Sequence, residues 1–184
     1  MNAPLSDSQT TAIDWPADIH AALGAHGITQ VCHVPDAGHA RLIELCNSDN
    51  TMQTVTLTTE EEGVAMLLGS WLGGARGALL MQSSGSGNVV NMMGLARTCR
   101  FPLLMLITMR GEWGEFNPWQ NPMGQATRPV LEAMGSTVLN VDNADAVSET
   151  VHAAAGLAFG GQQAVAVTLS QRLIGAKAFQ DDSQ

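Results

Sequence analysis

Ala78-Leu79-Leu80-Met81-Gln82-Ser83-Ser84-Gly85-Ser86-Gly87-Asn88 decides the fold class. Its four leading apolar residues run without a break, which marks a strand buried on both faces, because a strand with one wet face alternates. Small polar residues then make a turn, and Val89, Val90, Met93 and Leu95 open a helix. Strand, short turn, helix is half of a parallel crossover unit. Outward from this stretch the pattern repeats. Strands are predicted over 28–34, 54–57, 103–109, 137–141 and 164–169. Helices are predicted from Asp14-Trp15-Pro16 to His26-Gly27, over 39–46, from the acidic run at 60–62 to Gly73-Gly74, near 127–134, and from Asp142 to about Phe159. Six strands alternating with helices through short connections predict a three-layer α/β/α domain with a six-stranded, mainly parallel sheet over 14–172. Polar tails are expected at 1–13 and 173–184.

Composition narrows the functional classes. At 184 residues with 45% hydrophobic residues, the chain can bury a full core. A net charge of −9 disfavours nucleic acid or an anionic membrane surface as partner. No apolar run approaches the ~18 residues of a membrane span, and the first residues lack the pattern of a signal peptide. Cys32, Cys46 and Cys99 are odd in number and widely spaced, so they read as small buried hydrophobes rather than as disulfides or a zinc site. A cytoplasmic protein is expected.

Ligands of open α/β sheets bind at the carboxyl ends of strands. Four segments fall there: 34–38, 58–62, 82–88 and 109–124. In the second, Glu60, Glu61 and Glu62 are three consecutive carboxylates against an apolar run. Acids in a first turn suit the positive end of the helix dipole; alternatively, one of them points inward and handles a proton. The 82–88 turn enters a helix N-terminus and can cradle an anion, although it is neither a Walker A loop nor a G-x-G-x-x-G fingerprint. His33 and His39 flank a Pro-Asp turn without metal-site spacing. The 110–122 loop, with Trp113 and Trp119, is long enough to be a lid, and Arg110 is the cation at a strand end. No nucleophile elbow occurs.

In order along the chain, Val34-Pro35-Asp36, Glu60-Glu61-Glu62-Gly63-Val64 with Trp71, Met81-Gln82-Ser83-Ser84-Gly85-Ser86-Gly87-Asn88, Arg110-Gly111 and Gln120-Asn121-Pro122-Met123-Gly124 resemble the pyrimidine-binding domain of thiamine-diphosphate enzymes. The branch they resemble is that of the sulfopyruvate decarboxylase alpha subunits and phosphonopyruvate decarboxylases. The resemblance implies a glutamate that binds N1′ of the cofactor's aminopyrimidine, with the cofactor acting as electron sink when carbon dioxide leaves a 2-oxo acid. The family spacing from that glutamate to an aromatic residue ten positions on selects Glu61, because Trp71 is that aromatic. By the same resemblance Pro35, Ser84, Gly85 and Asn88 line the cofactor. His39, Gln82, Ser83, Arg110 and Gln120 are substrate-pocket candidates.

The family's Gly-Asp-Gly motif for diphosphate and Mg²⁺ is missing, since the chain contains no Gly-Asp dipeptide. The resemblance therefore implies one half of an enzyme, with a separate beta subunit carrying Mg²⁺ and the diphosphate, and no metal ligands in this chain. The expected reaction is 3-sulfopyruvate to sulfoacetaldehyde and carbon dioxide. Phosphonopyruvate decarboxylation, half of another thiamine-diphosphate lyase or ligase, and a non-catalytic flavodoxin-like ligand-binding domain are the alternatives.

Overall fold

The computed structural model describes residues 13–175. Thirteen elements, among them α1 (Trp15–Ala25), β1 (Ile28–His33), α2 (Ala40–Ser48), β2 (Gln53–Thr56), α3 (Glu60–Leu72), β3 (Arg76–Gln82) and α4 (Ser86–Cys99), alternate along the chain. They continue with β4 (Leu103–Thr108), α5 (Asn121–Ala133), β5 (Thr137–Val141), α6 (Val147–Gly161), β6 (Ala164–Leu169) and the single turn α7 (Gln171–Ile174). All six strands are parallel, in the order β2-β1-β3-β4-β6-β5. The three-layer expectation holds, and the sheet is wholly parallel.

Strand composition follows sheet position. Central β4 is buried at all six residues, as a strand covered on both faces must be. β2, at the edge, is Gln-Thr-Val-Thr and half exposed. Residues of α1, α2 and α6 pack over one face with Val31, Leu80, Leu104 and Val167. The other face buries Leu79, Met81, Met105 and Ile107 against α3, α4 and α5. Gly63 lets α3 lie close to the sheet, because a methyl group there would sit 2.6 Å from Leu79 Cδ1.

The chain leaves β1 for the edge through α2, then crosses back over β1 through α3 to reach β3. Sequence neighbours thus depart in opposite directions from β1 and β3, which opens a crevice beyond their carboxyl ends. The candidate site sits at this switch point.

Two expectations need correction. α5 begins at Asn121, six residues before the predicted helix, because Pro122 lies at its start, where a missing N–H costs nothing; the prolines open a helix rather than extend a loop. Cys99 is exposed, unlike Cys32 and Cys46. The last helical turn ends at Ile174, and most of the predicted tails lie outside the described residues. Among the described residues no helix is long and apolar enough to cross a membrane.

Candidate functional site

The structure separates the three carboxylates at the start of α3. Glu60 is buried, while Glu61 and Glu62 are exposed. Glu62 reaches back to accept the backbone N–H of Thr58 (2.8 Å), which closes the helix start. Glu60 Oε2 accepts from Asn88 Nδ2 at 2.7 Å. Its carboxylate also lies against the Cα of Gly85, so closely that a methyl group on Gly85 would come within 2.6 Å of Glu60 Cγ and nearer still to the carboxyl group. Glu60 Oε1 receives no hydrogen bond from the described residues.

The inward carboxylate is thus Glu60, and Glu61, selected by its spacing to Trp71, faces solvent. A signal for this was present in the sequence. Gly63, Val64 and Leu67 are buried on α3, and stepping back three and four positions from Gly63 and Val64 reaches Glu60. The aromatic used as the ruler, Trp71, packs instead near Phe159, with ring centroids 6.4 Å apart.

The other strand ends converge on the same crevice. Asp36, quoted in the motif without a role, accepts from Thr108 Oγ1 (2.6 Å) and from the Gly38 N–H (3.1 Å) through Oδ2. Its Oδ1 accepts from Gln82 Nε2 at 3.1 Å, and Gln82 Oε1 accepts from Ser84 Oγ at 2.8 Å. One carboxylate therefore ties together the ends of β1, β3 and β4. A 220 Å³ cavity lies beside it, lined by Asp36, Ala37, Thr108, Arg110 and Ile174 among others.

Three of the substrate candidates, Ser83, His39 and Gln120, are buried. Ser83 is wholly buried; its Oγ accepts the Arg110 N–H (3.0 Å), and its carbonyl accepts from Thr127 Oγ1 (3.2 Å). His39 is also wholly buried, and its Nε2 donates to the Leu106 carbonyl at 3.1 Å. Burial lowers the His39 pKa, so the ring is held neutral. Gln120 is buried at the foot of the loop, while Pro35 is exposed at the crevice rim.

Arg110 is present at the site but already paired. Its Nε and Nη2 donate to Glu115, both at 2.7 Å. Glu115, with its side chain 3% exposed, also accepts from the backbone N–H groups of Gly111 and Asn117 and from Gln171 Nε2. Hydrogen bonding to Arg110 above all holds the Glu115 pKa down at about 2. Gln171 Oε1 in turn accepts from the N–H groups of Glu112 and Trp113. The loop expected to act as a lid is fastened from within. Its base is closed as well, because Gly124 packs on Gly111, with room only for hydrogen at its Cα. Glu115 and Gln171 escaped the sequence reading, since nothing local signals a bond across 56 residues.

No family model matches the sequence. The chain is 33% identical over 152 residues to the sulfopyruvate decarboxylase subunit alpha of Methanococcus maripaludis, covering 82% of this chain and 91% of that one. This chain belongs to the sulfopyruvate decarboxylase alpha-subunit family. A second member, from Methanocaldococcus jannaschii, is 36% identical over 62% of this chain and 68% of its own length. The phosphonopyruvate decarboxylase of Streptomyces viridochromogenes is 36% identical over 63% of this chain, which spans 30% of that longer protein. In fold, the chain is similar to a 2-oxoglutarate:ferredoxin oxidoreductase from Magnetococcus marinus, with a TM-score of 0.70 at 13% identity, covering 98% of this chain and 36% of that one.

Among the described residues no group of three or more His, Cys, Asp or Glu is placed to hold a metal ion.

Proposed function

We propose that this chain is the pyrimidine-binding alpha subunit of a two-chain, thiamine-diphosphate-dependent decarboxylase of the cytoplasm, converting 3-sulfopyruvate into sulfoacetaldehyde and carbon dioxide. The observation that carries this reading is Glu60: a buried carboxylate at the switch point, with one oxygen fixed by Asn88 and the other receiving no bond from the described residues. Such a group fits a ring nitrogen held against it, since a positioned carboxylate can hold or pass a proton within hydrogen-bond reach. The cofactor, when bound, supplies the electron sink for loss of carbon dioxide.

This chain's residues do the rest. Glu60 holds or moves the proton at the pyrimidine nitrogen in place of Glu61, Gly85 gives the carboxylate room, and Asn88 fixes its rotamer. Pro35 and the 84–88 turn line the pyrimidine end of the cleft, while Gln82 and Arg110 stand at the substrate end. Mg²⁺ and the diphosphate fall to the beta subunit, for which this chain offers no Gly-Asp motif. The phosphonopyruvate decarboxylase relatives make phosphonopyruvate the competing substrate.

The test is to reconstitute both chains with cofactor and Mg²⁺, offer 3-sulfopyruvate, phosphonopyruvate and pyruvate, and follow aldehyde formation together with exchange of the cofactor's C2 proton. Glu60→Gln is expected to lower both by ~10²–10⁴-fold, the range for a lost general acid–base group. Glu61→Gln and Glu62→Gln are expected to stay near wild type. Loss of exchange in Glu61→Gln with Glu60→Gln intact refutes the assignment of Glu60. Normal exchange in all three refutes the carboxylate mechanism.

A further inference from the structure

Asp36 has no part in the reaction as described so far, yet it fixes the direction of a hydrogen-bond chain that ends at the cofactor side of the cleft. A carboxylate only accepts, so Gln82 must turn its amide N–H to Asp36 and its carbonyl oxygen away. That oxygen meets Ser84 Oγ at 2.8 Å, so Ser84 must donate to it. A hydroxyl has one proton. With that proton committed to Gln82, half-buried Ser84 has only lone pairs left for a ligand. We propose that Asp36 is a positioning residue that, through Gln82, holds Ser84 as an acceptor for a donor group of the bound cofactor.

The chemistry of the two ligands selects between them. An ionised 2-oxo acid bearing a sulfonate carries acceptors alone and cannot satisfy Ser84. An aminopyrimidine carries an amino group and can. The inference rests on the thiamine-diphosphate reading above.

Asp36→Asn tests it by reversing the chain without deleting it. Two donors, Thr108 Oγ1 and the Gly38 N–H, converge on Oδ2, so the new amide keeps its oxygen there and turns its NH₂ to Gln82. Gln82 must then flip, and Ser84 must accept from it, which leaves the serine proton facing the ligand. Adding Gln82→Glu restores the original polarity, because the new carboxylate accepts from both sides. The measurements are the thermal midpoint, the dissociation constant for thiamine diphosphate by calorimetry in the two-chain complex with Mg²⁺, and KM for the oxo acid.

Asp36→Asn is expected to keep its midpoint within a few degrees of wild type and to weaken cofactor binding roughly tenfold, as one misdirected hydrogen bond does. The double variant Asp36→Asn/Gln82→Glu is expected to return cofactor binding to within about threefold of wild type; KM for the oxo acid is read in Asp36→Asn alone, where it is expected to change little. Ser84→Ala should weaken the cofactor alike and add nothing to Asp36→Asn. Unchanged cofactor binding in Asp36→Asn, no rescue in the double variant, or a rise in substrate KM in place of the cofactor effect overturns the proposal. A wild-type complex that binds no thiamine diphosphate overturns the cofactor reading itself, a result separable from normal wild-type binding with an indifferent Asp36→Asn.

Discussion

Gly85→Ala isolates the contact on which the catalytic assignment depends. Gly85 is buried with φ −69° and ψ −18°, a conformation that alanine adopts without strain. Backbone entropy alone would favour the substitution by about 0.5–1 kcal/mol, so any loss comes from space. The added methyl would lie 2.6 Å from Glu60 Cγ, and closer to the carboxyl group, whereas carbon atoms rest at about 3.5–4.0 Å. Relief therefore requires the Glu60 carboxylate to retreat by about 1 Å. Overpacking of this kind costs about 1–3 kcal/mol, partly offset by the entropy gain. The effect on rate is larger, since a misplacement of about 1 Å costs roughly 10²-fold.

The assay is exchange of the cofactor's C2 proton in the two-chain enzyme, with thermal unfolding of the same sample. Gly94→Ala, further along α4, is the control, because a methyl group there meets nothing within 4 Å. The expected result is a roughly hundredfold loss of exchange for Gly85→Ala and near-wild-type behaviour for Gly94→Ala. If Gly85→Ala exchanges within about threefold of wild type while folded, Glu60 is not the carboxylate that meets the pyrimidine, and the argument from its burial fails.

Glu115 should make the chain acid-labile. Its folded pKa, about 2 against an ordinary 4.5, is depressed, so its contribution is present above pH ~4.5 and is lost as pH falls towards 2. Glu115→Gln is expected to lower stability at neutral pH by at most about 3 kcal/mol, with the gap to wild type closing between pH 4.5 and 2 in denaturant titrations; a gap independent of pH would show that the pairing with Arg110 contributes nothing. Cys99 is exposed, while burial pushes the Cys32 and Cys46 thiols up to about 11, so a thiol reagent should modify Cys99 alone in the native chain and all three after unfolding; rapid native labelling of Cys32 or Cys46 would contradict their burial.

The strands were legible because periodicity is a local property. The unbroken apolar runs at 78–81 and 103–107 mark buried strands, and both strands are central. The site was legible only as a set of strand ends. Which glutamate turns inward was decided wrongly by a spacing rule and correctly by helix geometry, since Glu60 shares a face with Gly63, Val64 and Leu67. The start of α5 was missed because proline has two meanings, loop breaker or first-turn residue, and the difference lies in where the following N–H groups bond.

Pairing was the property least visible in the sequence. Read in one dimension, Arg110 is the cation at a strand's carboxyl end and a substrate-pocket candidate. In the fold, a turn returns Glu115 to it and Gln171 arrives from the far side of β6 to hold that turn. A guanidinium engaged at both Nε and Nη2 keeps its Nη1 for a ligand, but its charge is already matched. Asp36 and Glu60 add two further carboxylates to the crevice. Among the described residues the crevice therefore holds carboxylates and a cation whose charge is already matched within the chain.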